Sequence, residues 1–115
     1  MRPTILDLSG DERWRVAAGS SRALYVSLAD SRFWIGTADE NPLIIDARGR
    51  HDEGVALLAA IGSHPRRHRI LLTDRETPRA HGAAYLAGAT RVVVMSCGDL
   101  AAPSLLDELC AGVRG

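Results

Sequence analysis

Short apolar runs recur along the whole chain and are separated by amphipathic or polar stretches. The runs that predict strands are Thr4–Leu8, Ala23–Leu28, Leu43–Ala47, Ile70–Thr73 and Val92–Met95. The third run is rich in β-branched residues and lacks polar alternation, as expected of a parallel strand that is buried on both faces. Its end carries Asp46, and an open α/β sheet places its ligands or reactive groups at the carboxyl ends of its strands. We therefore expect a functional site around Asp46.

Helix signals lie between these runs. Ser9-Gly10-Asp11-Glu12 fits a capping box and predicts a helix from about Gly10 to Ala18. Thr77-Pro78 fits an N-cap followed by a proline in the first turn. The other helix candidates are a short one over Arg32–Ile35, one over Val55–Ile61 after a polar loop, one from Pro78 to Ala87, and one that begins near Pro103. Alternating strands and helices predict one three-layer α/β domain over residues 1–115, with a five-stranded parallel sheet and about five helices.

The composition of the chain argues against several classes of function. With 46% hydrophobic and only 4% aromatic residues, the core must be built mainly from Ala, Leu, Val and Ile. Fourteen basic and fourteen acidic side chains balance, which argues against direct nucleic-acid binding. Cys97 and Cys110 have too few partners for a zinc motif, so we expect no metal and no cofactor. The chain carries no signal peptide and no long apolar segment, which predicts a cytoplasmic protein without membrane contact.

Three segments carry a family resemblance. They are Leu43-Ile44-Ile45-Asp46, Ile70-Leu71-Leu72-Thr73, and Ala87-Gly88-Ala89 followed by Val92-Val93-Val94. In this order and spacing they resemble the receiver domain of two-component response regulators, a flavodoxin-like module. The resemblance implies that Asp46 corresponds to the phospho-acceptor and Thr73 to the switch threonine of that family.

Several residues depart from the receiver pattern. The resemblance calls for two acids at the end of the first strand, which would hold Mg²⁺, and we place Ser9 and Gly10 there. Asp7 falls one or two positions too early in this interpretation. Met95 stands where the family has a lysine, and Val92 where an aromatic switch residue would stand. The resemblance therefore implies a vestigial phospho-acceptor pocket.

The pattern is most similar to atypical receivers of actinobacterial transcription regulators, which carry a like "DAR" at the position of Asp46. That similarity implies a non-enzymatic, phosphorylation-independent dimerisation or regulatory module in transcription regulation. Asp46 would then be a structural acid that hydrogen-bonds the following loop or pairs with Arg48 or Arg75. The alternatives are a functional receiver phosphorylated on Asp46, and a receiver-like sensor that binds a small molecule above Asp46. A sulfurtransferase on Cys97 fits least, because Asp99 follows closely and no basic residue shares the loop.

Two further expectations concern polar residues near the pocket. Asp74 follows Thr73 directly and would add negative charge beside Asp46. The four histidines have no metal-ligand spacing and are expected at the surface; they are His51, His64, His68 and His81.

A homodimer is expected through the fourth helix, the fifth strand and the last helix, the surface that many receivers use. Tyr85 and Leu86 are adjacent large side chains on a helix whose alanines already supply its inward contacts, so at least one must reach the surface. The predicted interface residues are Arg79, Tyr85, Leu86, Arg91, Asp107 and Glu108. In the alternative, Tyr85 merely lies over Arg91 within one monomer.

Overall fold

The structure is a computed structural model that describes residues 2–11, 13–20, 23–31, 41–61 and 67–95. Its centre is a five-stranded sheet in which every neighbouring pair of strands is parallel. The strands are β1 (Thr4–Asp7), β2 (Leu24–Val26), β3 (Leu43–Asp46), β4 (Arg69–Thr73) and β5 (Arg91–Val94). Their order across the sheet is β2-β1-β3-β4-β5, which places β3 in the middle. The predicted five-stranded parallel α/β fold is confirmed.

Four helices connect these strands within the described ranges. They are α1 (Arg13–Ser20), α2 (Leu28–Ser31), α3 (His51–Ile61) and α4 (Pro78–Ala87). The helices predicted over 32–35 and from about 103 lie outside the described residues. None of the helices in the described part of the chain is long and apolar enough to cross a membrane.

The alternation of side chains along each strand divides the core between the two faces of the sheet. One face packs Ile5, Ile44 and Ile70 against Trp14 of α1. The other face, which includes Ile45, packs against the helices that follow β3 and β4; its buried members include Leu6, Leu43, Leu57, Leu58, Leu71 and Ala84. β3 is buried at every position. Because it is also the middle strand, its carboxyl end lies at the centre of the sheet edge that the carboxyl ends of the strands form.

The predicted start of the first helix is wrong. The helix begins at Arg13 rather than near Gly10, and the Ser9 hydroxyl lies 2.7 Å from Asp7 Oδ1 and 3.1 Å from Asp46 Oδ2, so its one proton is shared between two carboxylates. The second strand is also shorter than predicted, because it ends at Val26 and Leu28 already opens α2. The first difference lies where β1 ends, because there the Ser9 hydroxyl is engaged by Asp7 and Asp46.

The third helix begins at His51, four residues before the predicted start at Val55. Gly54, which marked a loop in the sequence, lies inside this helix against the sheet. A Cβ at Gly54 would lie 2.5 Å from the Cβ of Ala47 and 3.1 Å from Cδ1 of Leu71. Glycine therefore lets α3 approach β3 and β4 closely, and this approach brings His51 to the end of β4.

The predicted N-cap of the fourth helix is confirmed. The Thr77 hydroxyl accepts a hydrogen bond from the backbone N–H of Ala80 at 3.2 Å, and Pro78 occupies the first turn. Gly88 closes the helix with φ of 120°, a conformation that favours glycine.

Candidate functional site

The carboxyl ends of β1 and β3 bring two buried aspartates together. Asp7 is the last residue of β1 and lies opposite Asp46, the last residue of β3. Both residues are fully buried. The interpretation that Asp7 falls short of this edge is wrong, because the strand ends at Asp7 itself and not at Leu8. The surroundings of Asp46 therefore contain a second carboxylate.

A guanidinium group lies directly on Asp46. Arg48 Nη2 is 2.6 Å from Asp46 Oδ2, and Arg48 Nε is 2.9 Å from Oδ1. The backbone N–H of Arg48 also donates to Oδ1 at 3.2 Å. Both side chains are buried, with 2% of Arg48 and 0% of Asp46 exposed. Of the two arginines predicted as partners, Asp46 thus takes Arg48, whereas Arg75 pairs with Asp52 at 3.2 Å.

Two neutral donors complete the contacts of Asp46. Trp14 Nε1 donates to Oδ2 at 2.5 Å, and the Ser9 hydroxyl donates to the same oxygen at 3.1 Å. Trp14 is fully buried in α1, so its indole serves the core and the carboxylate at once. Together with Arg48, these groups engage both oxygens of Asp46. The arrangement is the one that a buried carboxylate requires to remain charged.

Asp7 is held by neutral donors and a backbone amide. Its Oδ1 accepts from the Ser9 hydroxyl at 2.7 Å and from the Gly10 N–H at 3.1 Å, while Oδ2 accepts from the Tyr25 hydroxyl at 2.8 Å. Burial raises the pKa of Asp7 and the charge of Asp46 adds to this, against the opposing effect of the Ser9 and Tyr25 hydrogen bonds. Burial and the bond to Asp7 likewise raise the pKa of Tyr25 to about 12.

The raised pKa of Asp7 gives the first prediction. Because folding favours the protonated form, Asp7 stabilises the fold below its unfolded pKa and loses this contribution as pH rises through the folded pKa. Asp7→Asn keeps the shape and an acceptor oxygen without the charge. We expect it to stabilise the protein at neutral pH by about 0.5–2 kcal/mol, the usual range for a single favourable substitution.

Urea unfolding of wild type and Asp7→Asn across acidic to neutral pH measures this gain. The difference should grow as pH rises and shrink in acid. Asp30→Asn, at an exposed position of α2, is the matched control and should show neither effect. A destabilised Asp7→Asn at neutral pH would mean that the Asp7 charge is favourable where it lies.

The hydroxyl of Thr73 is bound to a buried histidine. His51 Nδ1 lies 2.7 Å from Thr73 Oγ1, and His51 Nε2 lies 3.1 Å from the carbonyl oxygen of Ala80. Because a carbonyl can only accept, Nε2 carries a proton and donates it to Ala80. His51 is only 2% exposed, so the expectation of a surface histidine is wrong at this position. Thr73 thereby joins the end of β4 to the first turns of α3 and α4.

Asp74 and Met95, which follow β4 and β5, differ in their exposure to solvent. Asp74 is exposed and its Oδ1 accepts the backbone N–H of Gly49 at 3.0 Å. The carboxylate packed beside Asp46 is therefore Asp7, not Asp74 as the sequence suggested. Met95 follows β5, is 6% exposed, and belongs to the same apolar cluster as Trp14. An apolar side chain thus stands at the position where the receiver resemblance implies a lysine.

The residues at this edge do not fit the Mg²⁺ ion that the receiver resemblance implies. A hard divalent cation needs several free oxygen ligands. Both oxygens of Asp46 already accept hydrogen bonds, and the positive charge beside them comes from Arg48. Within the described ranges, no group of three or more His, Cys, Asp or Glu side chains could hold a metal ion. We therefore derive no chemistry through a metal here.

The outer layer of the site is an acid between two arginines. Asp11 binds Arg13 through two contacts of 2.7 Å and binds Arg48 Nη2 at 3.1 Å. The hydrogen bond with Arg13 lowers the pKa of Asp11 more than burial raises it. A cleft of about 130 Å³ lies here, lined by Ser9, Asp11, Arg13 and Arg48.

The predicted dimer surface is described only in part. Leu86 is 93% and Tyr85 50% exposed, and Arg79 and Arg91 are exposed as well. The Tyr85 hydroxyl accepts a hydrogen bond from the backbone N–H of Val92 at 3.3 Å, so it contacts the β5 backbone of its own chain. Asp107 and Glu108 lie outside the described residues.

Several residues of the site were not predicted from the sequence, among them Asp7, Trp14, Tyr25 and His51. A signal for Asp7 was present in the sequence. β1 (Thr4–Asp7) and β3 (Leu43–Asp46) are both short runs with an apolar centre, and both end in aspartate. No comparable spacing marks Trp14 or Tyr25, whose polar atoms reach the site only through packing of α1 and β2 against β1.

The comparisons with known proteins add no relative. No protein-family model, no curated protein and no solved structure matches this chain.

Proposed function

We propose that this chain is a receiver-like regulatory domain that works without phosphorylation. The observation that carries the proposal is the buried ion pair between Asp46 and Arg48, with 0% and 2% of the two side chains exposed. In a phosphorylated receiver the corresponding aspartate must attack a phosphodonor beside a divalent cation. Here an internal arginine supplies the positive charge and covers both oxygens of the carboxylate.

The surrounding residues support the same proposal. Trp14 and Ser9 add hydrogen bonds to the oxygen of Asp46 that Arg48 Nη2 already contacts. The switch threonine of the resemblance, Thr73, holds His51 and the Arg75 backbone N–H, the latter at 3.2 Å. A threonine bound in this way joins β4 to α3, and its hydroxyl is already engaged by His51 and the Arg75 backbone. The pocket therefore acts as a fixed structural element at the carboxyl ends of the strands.

The regulatory role that we propose is homodimerisation in a transcription regulator, without direct nucleic-acid binding by this chain. Leu86 supports this role, because a leucine that is 93% exposed on α4 leaves a large apolar side chain to a partner. Arg79 on α4 and Arg91 on the edge strand β5 are both exposed. Across a twofold axis these arginines would meet Asp107 and Glu108 of the second copy, each pair occurring twice.

Sedimentation velocity at tens of micromolar tests the proposed role. The wild type should sediment as a dimer, and equally so with or without acetyl phosphate and Mg²⁺. Leu86→Asp and Arg91→Glu should shift it to monomer. Val16→Asp is the matched control, because Val16 is 73% exposed on α1, which packs on the opposite face of the sheet.

Three outcomes would count against the proposal. A monomeric wild type, or a dimer that is indifferent to Leu86→Asp, would remove this surface. A dimer that forms only with the phosphodonor would favour the alternative, a phospho-accepting receiver.

A further inference from the structure

The feature that the proposed function does not use is the carboxylate of Asp11. Arg13 approaches it with Nε 2.7 Å from Oδ1 and Nη2 2.7 Å from Oδ2, a bidentate geometry. Arg48 reaches the same carboxylate from the protein side, with Nη2 3.1 Å from Oδ2. Two guanidinium groups thus converge on one acidic group. Planar, bidentate recognition of this kind is how proteins bind carboxylates and phosphates.

The setting is a cleft that opens to solvent. Its volume is about 130 Å³, and among the described residues it is lined by Ser9, Asp11, Arg13 and Arg48. The exposure of the three charged side chains is graded, with 2% of Arg48, 13% of Asp11 and 45% of Arg13 accessible. A buried arginine forms the floor, and a partly exposed arginine on the first turn of α1 forms the rim.

The floor of the cleft is preorganised. Arg48 is fixed by Asp46, so its outward edge is held in place without Asp11. Burial would lower the pKa of Arg48, but Asp46 and Asp11 together keep it above its ordinary value, and the guanidinium stays charged. A rigid, charged and largely desolvated arginine binds an anion at lower entropic cost than a flexible surface residue does.

We propose that this cleft binds a small anion, a carboxylate or a phosphate, and that Asp11 is its built-in occupant. An incoming ligand takes the place of the Asp11 carboxylate between Arg13 and Arg48, and Asp11 turns toward solvent. Asp11 can do so because it precedes α1 and its side chain is already partly exposed, with 13% accessible. Competition from Asp11 sets a concentration threshold, so only an abundant or multiply charged anion displaces it.

This proposal goes beyond the proposed function and does not depend on it. It concerns reversible binding at Arg13 and Arg48, whereas phosphorylation concerns a covalent bond at Asp46, and dimerisation concerns α4 and β5. Inorganic phosphate cannot phosphorylate an aspartate, so binding of this probe and labelling by acetyl phosphate are separable results.

Calorimetric titration with inorganic phosphate and with malonate, at constant ionic strength, tests the proposal. Asp11→Ser removes the competing carboxylate and keeps a hydroxyl that can accept the Arg13 N–H, which Asp11 Oδ1 now accepts at 3.1 Å. We expect it to bind one of the two probes about tenfold more tightly than the wild type does, a factor that corresponds to about 1.4 kcal/mol. Adding Arg13→Ala should abolish the gain. The tighter probe identifies the ligand class as phosphate or dicarboxylate.

Asp30→Ser is the charge-matched control, because it removes one negative charge from an exposed position outside the cleft. If it gains as much affinity as Asp11→Ser, the effect is bulk charge and the proposal is overturned. Asp11→Asn, which keeps the size of the side chain, provides a second test if the serine variant does not fold. If neither Asp11 variant binds phosphate or malonate more tightly than the wild type, the proposal is also overturned.

Discussion

Replacing Arg48 with methionine should lower the free energy of unfolding by about 3–5 kcal/mol, the usual cost of removing one partner from a buried ion pair. Methionine fills much of the arginine's space but brings no charge. Asp46, with 0% of its side chain exposed, would then lie beside Asp7 without a cation. The hydrogen bonds from Trp14 and Ser9 would remain, yet they offset only part of the lost charge interaction.

Urea unfolding at neutral pH measures this cost, and a second substitution identifies its origin. Asp46→Asn combined with Arg48→Met removes both charges, so most of the lost stability should return. Arg50→Met is the matched control, because Arg50 pairs with Glu53 at 3.9 Å with about 40% of each side chain exposed. Such a surface pair contributes about 0–1 kcal/mol. If Arg48→Met costs no more than Arg50→Met, the buried pair is not what holds this edge together.

Ile45→Ala should lower the free energy of unfolding by about 2–5 kcal/mol, the range for truncating a buried aliphatic side chain. Ile45 is fully buried on β3, the middle strand of the sheet, and the helices that follow β3 and β4 cover its face. Its removal leaves a cavity that rigid neighbours on two strands cannot fill.

Thr77→Ala is the comparison within the same chain. It removes the hydroxyl that caps α4, an exposed interaction of about 1 kcal/mol. Thermal or urea unfolding should therefore separate the two variants clearly. Equal shifts in the midpoint would contradict the central position of β3.

The sheet was predictable from the sequence because buried parallel strands have a recognisable, continuous apolar pattern. A strand buried on both faces must be apolar at every position, as Leu43–Asp46 and Arg69–Thr73 nearly are. Helix ends were harder to predict. In the sequence Gly54 suggests an interruption of the helix. In the structure it lies inside α3, where its lack of a side chain allows the helix to approach Ala47 and Leu71 closely.

The contacts of the site were easiest to predict between residues that are close in sequence. Asp46 and Arg48 are two residues apart, and their pairing was among the alternatives. The indole of Trp14 reaches Asp46 from 32 positions away, and its direction depends on how α1 rotates against the sheet. Ser9 illustrates the opposite error, since its local pattern fits a capping box while its hydroxyl serves Asp7 and Asp46.

We infer that Arg48, and not a metal ion, accompanies Asp46 and keeps it from accepting a phosphoryl group. Incubation with acetyl phosphate and Mg²⁺, followed by intact mass measurement, tests it most directly. A phospho-accepting receiver domain serves as the positive control and Asp46→Asn as the site control. We expect the wild type to gain no phosphoryl group while the positive control does. A single phosphoryl adduct on the wild type that is absent from Asp46→Asn would contradict it.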